Sequence, residues 1–209
     1  STDTFVVIAS DGRQEPWEGL QIPHCETKDD FIKAVRDSGL VGLGGASFPT
    51  HVKFNPANLD ECDTLIVNGA ECEPFITSDH RNMLEHTDDI ISGIRLTMKY
   101  LGLSKCYVGI ENNKPDAIEK IRNGLKEIKG AEVVELRSTY PQGAERVLIH
   151  ETAGKTLKAG QLPASAGCIL SNVTTIMFVG QYFRTGMPLI QRTVTVAGDA
   201  VANPSNVVV

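Results

Sequence analysis

Behind Thr27-Lys-Asp-Asp the apolar residues Phe31, Ile32, Ala34 and Val35 recur at helical spacing and stop at Gly39, which predicts a capped amphipathic helix. Upstream, Thr4–Ala9 reads as a short strand, followed by a turn at Ser10-Asp11-Gly12 and an irregular stretch containing Pro, Gly and Trp. Downstream the pattern alternates. The runs Thr64–Asn68 (TLIVN), Lys105–Ile110 (KCYVGI), Ala131–Leu136 (AEVVEL) and Cys168–Leu170 (CIL) read as buried strands. Helical patterns lie between and after them. Residues 79–101 carry one or two helices with Ile90, Ile91, Ile94, Leu96 and Leu101 apolar; Pro115–Ile128 opens with proline in its first turn; Ala144–Glu151 and Val173–Thr185 complete the set. Strands alternating with helices predict β-α-β units and an α/β architecture built on a mainly parallel sheet.

The ends read differently. Thr193–Val196 (TVTV) is another strand, and the chain stops on Asn206-Val-Val-Val, an apolar run that nothing terminates. Since the start also falls in mid-strand, the pattern predicts an excised piece of a longer polypeptide. Residues 25–190 would be the main domain, 1–24 the tail of a preceding β-rich domain and 191–209 the opening of a following one. A chain of 209 residues with 41% hydrophobic and 22% charged content suits one sizeable soluble domain. Its net charge of −6, with no run of Lys or Arg, argues against a nucleic-acid footprint. No apolar stretch approaches the ~18 residues of a membrane span, and the N-terminus lacks the charged and apolar regions of a signal peptide. The five cysteines stand far apart without C-x-x-C, which fits free thiols in a reducing compartment. Neither they nor the five histidines show metal-ligand spacing, so no metal is expected inside this chain.

Chemistry is suggested by four turns. Gly42-x-Gly44-Gly45-x-Ser47 follows a helix rather than a strand and lacks a third glycine, so it is not a dinucleotide fingerprint, and without Gly-Lys-Ser/Thr it is not a P-loop. It reads either as a ligand floor or as a tight helix-to-loop turn; Pro49-Thr50 would open a helix beyond it, with Lys53 one turn on. Asn68-Gly-Ala-Glu71-Cys-Glu73-Pro74 follows the TLIVN strand, where open α/β sheets bind ligands. Its two carboxylates could accept hydrogen bonds from sugar hydroxyls or an amide, or form a solvated acidic turn. Cys72 between them reads as a packed thiol, since no histidine partner is evident, and Asp79-His80-Arg81 as a helix start capped by Asp79. Tyr140-Pro-Gln-Gly143-Ala-Glu145 follows AEVVEL and would offer bare N–H groups at a helix start, or be an ordinary strand-to-helix turn. Ser171-Asn172-Val-Thr174-Thr175 follows CIL; its side chains suit a phosphate but are equally good helix caps. Together the four turns place small and polar residues where a planar, phosphorylated ligand would sit.

The ordered set GLGGASFPTHVKF, NGAECEP with SDHR, YPQGAE, G-x-L-P with SNVTT, and GMPLIQRTVTVAG resembles the flavin-binding C subunit of the Rnf-type electron-transport complex. That subunit is in turn similar to the 51 kDa-type NADH-oxidising subunit of respiratory complex I. The resemblance runs from about residue 15 to the C-terminus. It implies a Rossmann-like domain with helices on both faces, flanked by pieces of neighbouring β domains, the last a β-grasp domain. It also implies FMN held non-covalently, reduction by NADH, and 4Fe-4S clusters only outside this chain. Carried over by position, Gly42, Gly44, Gly45 and Lys53 would form the FMN loop, with Phe48 stacked near the NADH rings. Asn68 would contact the flavin, Glu71 and Glu73 would lie near the isoalloxazine and nicotinamide, and Tyr140, Gly143 and Glu145 would line the isoalloxazine and NADH side. Asn172, Thr174 and Thr175 would hold the ribityl phosphate. No residue is expected to act as an acid or base, because the flavin itself carries the hydride chemistry.

The implied setting is cytoplasmic, at the membrane through partner subunits, with ferredoxin an indirect partner. A soluble relative serving a cobalamin or proline reductase system, and a flavin-free scaffold of the same fold, are the alternative readings. Leu43, Ala70 and Ala144 stand where complex I relatives carry charged residues, which favours the Rnf side. Ser47 departs from both groups, where glycine is usual.

Overall fold

Thr27 starts the first helix, α1 (Lys28–Asp37), by the reciprocal arrangement its sequence predicts. Its hydroxyl accepts the Asp30 N–H at 3.2 Å while the Asp30 carboxylate accepts the Thr27 N–H at 2.9 Å. The Thr27 hydroxyl, donating to the Asp30 carboxylate at 2.7 Å, and the Thr27 N–H hold that carboxyl below its ordinary pKa. The computed structural model describes residues 7–209. The strand expected over Thr4–Ala9 begins outside those residues, and its described part, Val7–Ala9, is irregular.

Beyond α1 and a short turn of helix, α2 (Thr50–Lys53), the chain alternates as its pattern predicts. Strand β1 (Thr64–Asn68) leads through α3 (Ser78–Glu85) and α4 (Thr87–Leu101) to β2 (Lys105–Glu111). Helix α5 (Pro115–Leu125) connects β2 to β3 (Ala131–Leu136), and α6 (Glu145–Ala153) connects β3 to β4 (Cys168–Asn172). Helix α7 (Val173–Thr185) follows β4 without a connecting loop. The differences from expectation are at ends: α5 stops three residues earlier, at Leu125, and β4 runs on through Ser171 and Asn172.

The four strands form one parallel sheet in the order β3-β2-β1-β4. The chain works outward from β1 to β3 and then returns to place β4 on the other side of β1. A crevice therefore opens at the carboxyl ends of β1 and β4, the switch point at which open α/β sheets take ligands. Alternation along the strands divides the core. Leu65, Val67, Cys106, Val108, Ile110 and Ile169 face the main core beneath α4, α5 and α7, while Ile66, Cys168 and Leu170 face α6 through Leu148 and Ile149. Helices cover both faces, as expected of a Rossmann-like domain.

Two glycines set how closely α7 lies on α4. A Cβ on Gly93 of α4 would lie 2.0 Å from the Ile176 carbonyl oxygen of α7, and a Cβ on Gly180 of α7 would lie 2.0 Å from the Asp89 carbonyl oxygen of α4. The two backbones touch at both places, so no larger residue fits at either. Arg184 reinforces the seam with two hydrogen bonds to the Asp89 carboxylate, at 2.9 and 3.0 Å.

The last strands, β5 (Thr193–Val196) and β6 (Ser205–Val208), form an antiparallel hairpin separate from the main sheet. It leans on the start of α3, where Thr77 donates its N–H to the Thr195 hydroxyl at 3.0 Å and Asn206 donates to the Thr77 hydroxyl at 2.9 Å. Among the described residues no helix is long and apolar enough to cross a membrane.

Candidate functional site

At the switch point lies a cleft of about 580 Å³. The glycine loop supplies Leu43, Gly44 and Gly45; the turn after β1 supplies Asn68 and Ala70 through Glu73; and the turn before α6 supplies Gly143 and Ala144. Asn172, Asp79 and the β5–β6 hairpin complete the walls. The turns after three strands and the glycine loop thus meet in one place.

The glycine loop is a closed excursion. The Gly42 N–H donates to the Phe48 carbonyl at 2.8 Å and the Thr50 N–H to Leu40 at 3.2 Å, with Val41 bridged to Pro49. The Leu43 N–H then donates to the Thr175 hydroxyl at 2.9 Å, tying the loop tip to α7. Gly45 takes a φ of 115° and a Cβ there would meet nothing within 4 Å, so the bare backbone faces open cleft. Gly44 is close-packed: its Cβ would stand 3.1 Å from the Asn172 side chain. Ser47 has a φ of 51°, in the region that disfavours side chains, which is the physical reason a glycine suits that position.

Asn68 and Asn172 close the strand ends. Asn68 donates to the Gly143 carbonyl at 3.0 Å and accepts the Ala70 N–H at 3.0 Å, which links the turns after β1 and β3. Asn172 caps α7, its side-chain oxygen accepting the N–H groups of Thr174 at 2.9 Å and Thr175 at 3.2 Å.

Glu71 has a specific structural task. Its carboxylate accepts the Asp79 N–H at 2.9 Å and the His80 N–H at 3.2 Å, so it caps α3 from across the loop. Its own N–H donates to the Glu111 carboxylate at 3.0 Å, and Glu111 is paired with Lys114; both side chains are buried beneath the turn. Asp79, expected to be the α3 cap, instead turns into the cleft wall. It receives the Thr174 hydroxyl at 2.5 Å and the Asn172 amide at 2.7 Å. Loss of water pushes its carboxyl up to about 6; the Glu71 charge adds to this, while the two hydrogen bonds and the positive Arg192 oppose it.

The remaining expected residues are dispersed in and around the cleft. Glu73 is exposed and lines the cleft beside Cys72, whose thiol lies 3.9 Å from the Glu73 carboxylate. Lys53 and Glu145 lie outside the lining and pair with each other at 3.0 Å. Phe48 is half exposed, and Tyr140 is mostly exposed ahead of its cis bond to Pro141. Thr174 and Thr175 are buried with their hydroxyls committed to Asp79 and Leu43, and Gly42 serves the loop closure. Among the charged lining residues, two lie outside the expected set: Asp79, which sequence treats as a simple cap, and Arg192, which belongs to GMPLIQR but to no binding pattern legible by spacing.

Comparison with known proteins gives the family and the fold. The family model described as Nuo51 FMN-binding domain matches residues 35–181. The C subunit of the proton-translocating ferredoxin:NAD(+) oxidoreductase complex of Clostridium ljungdahlii is 41% identical over 98% of this chain and 45% of its own length. The Na(+)-translocating counterpart from Acetobacterium woodii is 41% identical over 97% of this chain and 46% of its length. The C subunit of an ion-translocating oxidoreductase complex from Pseudomonas aeruginosa is 38% identical over 97% of this chain and 26% of its length. The chain thus spans less than half the length of these curated relatives. A chain of an NAD+-reducing [NiFe]-hydrogenase in the air-oxidised state superposes with a TM-score of 0.70 at 23% identity, covering 87% of this chain and 36% of that one, which shows a shared fold. With a family match over most of the sheet and the cleft at its switch point, the chain belongs to the Nuo51 FMN-binding domain family.

Proposed function

We propose that this chain is the FMN-binding, NADH-oxidising module of an ion-translocating ferredoxin:NAD oxidoreductase complex. The observation that carries the reading is the bare backbone of Gly44 and Gly45 in a switch-point cleft whose other walls are polar. The donors and acceptors there fit an isoalloxazine with a polyol tail: amides from Asn68 and Asn172, carboxylates from Asp79 and Glu73, and one guanidinium. A ring lying flat needs a wall without Cβ atoms, which Gly45 supplies and Ser or Ala would not.

Within this reading Gly44, Gly45, Asn68, Gly143 and Asn172 bind and orient the flavin. Glu71 holds the wall in place by capping α3, and Thr174 and Thr175 hold Asp79 and the loop tip. Glu73, exposed at the cleft, takes the NADH side. Lys53 and Glu145 bridge the glycine loop to α6 at the edge, beside Phe48 and Tyr140. Bound FMN supplies hydride acceptance from NADH and single-electron delivery to iron–sulfur centres carried outside this chain. Partner subunits of a membrane complex, on its cytoplasmic side, would receive those electrons and pass them towards ferredoxin.

The test is direct. The chain is mixed with FMN, dialysed exhaustively and examined for a protein-retained flavin absorbance that bleaches on adding NADH. Colourless protein would reject flavin binding and leave a scaffold of the same fold. Retained colour that NADH fails to bleach would reject the NADH half alone.

A further inference from the structure

We infer that the buried Glu111–Lys114 pair positions the turn that carries Glu73, and through that turn the NADH side of the cleft. The inference rests on the flavin and NADH reading above. The pair stands at the end of β2 and the start of α5, its side chains 2% and 7% exposed, and lies outside the cleft lining. Both partners reach the same residue of the cleft wall. Glu111 accepts the Glu71 N–H at 3.0 Å, and the Lys114 ammonium donates to the Glu71 carbonyl at 3.5 Å. The other two ammonium hydrogens go to Glu111 itself and to the Asn113 side-chain oxygen at 3.2 Å. The Glu71 backbone is thus gripped at both of its polar atoms.

A buried ion pair is a poor source of stability, because desolvation of the two charges offsets their attraction. What this pair supplies is a fixed position. Gly69 is held to β2 through the Gly109 carbonyl at 2.9 Å, Ala70 to the Asn68 side chain at 3.0 Å, and Glu71 to the pair. Beyond Glu71 the anchors stop. From Cys72 to Ile76 the one backbone-to-backbone hydrogen bond among the described residues is internal, from the Ile76 N–H to the Glu73 carbonyl at 3.4 Å. Glu73 lines the cleft two residues past the last anchor, so loosening Glu71 displaces it first. A displacement of about 1 Å is enough to slow a positioned reaction about a hundredfold. Glu111 and Lys114 are therefore positioning residues that act through Glu73.

The experiment loads the 209-residue chain with FMN, mixes it anaerobically with increasing NADH and follows the rate at which the flavin absorbance bleaches. FMN affinity and a urea midpoint are measured beside it. Glu111→Leu/Lys114→Met removes both grips on Glu71 with little change in volume. It should bind FMN and unfold as wild type does, yet bleach about tenfold or more slowly at low NADH. Glu111→Gln/Lys114→Met keeps an acceptor for the Glu71 N–H and should recover most of the rate. In a Glu73→Ala background the apolar pair should cause little further loss, since both changes disable the same contact. Bleaching at the wild-type rate, a parallel loss of FMN affinity, failure of the apolar variant to fold, no recovery in the Gln variant, or losses that multiply with Glu73→Ala would each overturn the inference. Wild type that retains no flavin, or retains flavin that NADH does not bleach, would instead reject the reading of the site, and this inference with it.

Discussion

Asn68 and Asn172 are register partners at the carboxyl ends of β1 and β4, and their amides divide the cleft between them. Asn68 turns to Gly143 and the loop after β3, while Asn172 turns to α7 and Asp79. Because Asn172 caps a helix that carries much of the core, Asn172→Ala should lower stability by about 1 kcal/mol. Asn172→Asp should keep the cap but face Asp79 with a second carboxylate. Urea melts of the two variants check this: the Asp variant should lose stability at pH 7 and recover it as the pH falls, and the Ala variant should not recover.

Glu71 and Glu73 stand two residues apart and should behave oppositely. Glu71→Ala removes the acceptor for two α3 N–H groups and should destabilise by about 1–3 kcal/mol. Glu73→Ala should leave the melting curve unchanged and reduce NADH oxidation more than FMN retention. Equal loss of both activities in an intact fold would remove Glu73 from the NADH side.

Asp79 gives a signed pH dependence. Its folded pKa of about 6 lies above the ordinary 3.8, so the native state binds the extra proton between these values. Its stabilising contribution is therefore complete below about pH 4 and lost as the pH rises through 6. A shift of this size corresponds to about 2–3 kcal/mol, and Asp79→Asn should remove that slope and stabilise the protein at pH 7. Subtracting the variant's pH–stability curve from that of wild type isolates this contribution. Other carboxylates, such as Asp30 and Asp116, are shifted the opposite way by Thr27 and His80.

Ser47 carries a side chain in the left-handed region, at an expense of about 1 kcal/mol. Ser47→Gly should raise stability by up to that amount, less the freedom glycine adds to the unfolded chain. Ser47→Val should lower it further, since branching at Cβ is least tolerated there. Thermal melts of the pair give the sign.

At the α4–α7 seam there is no room for a methyl group. Gly93→Ala and Gly180→Ala should each destabilise by about 3 kcal/mol or more, beyond an ordinary overpacked core, because the obstacle is backbone. Soluble yield and a denaturant midpoint measure it.

The strands of the sheet and the α1 cap were legible because they are local: TLIVN, KCYVGI and AEVVEL announce themselves by composition, and Thr27 with Asp30 by spacing. The glycine loop was legible as a bare surface, though its closure between Gly42 and Phe48 was not. What sequence hides is where a polar side chain goes once elements cross. Glu71, and not Asp79, caps α3, because the loop between them folds Glu71 back over the helix start. Lys53 meets Glu145 from 92 residues away, and buried Lys114 is indistinguishable by type from a surface lysine. Arg192, quoted in the sequence only as part of GMPLIQR, joins the cleft because the hairpin lies beside it.

The paired contact of Gly93 and Gly180 also bears on how this fold can diverge. Where two backbones touch, neither helix can retreat to admit a larger neighbour, so change along the α4–α7 seam is confined to the same small residues. The α6 face is joined to the sheet through side chains such as Leu148, Ile149 and Leu170, which can exchange volume with one another. Descendants of this chain should therefore drift freely in the α6 layer while the opposite layer keeps its spacing, and with it the position of the cleft.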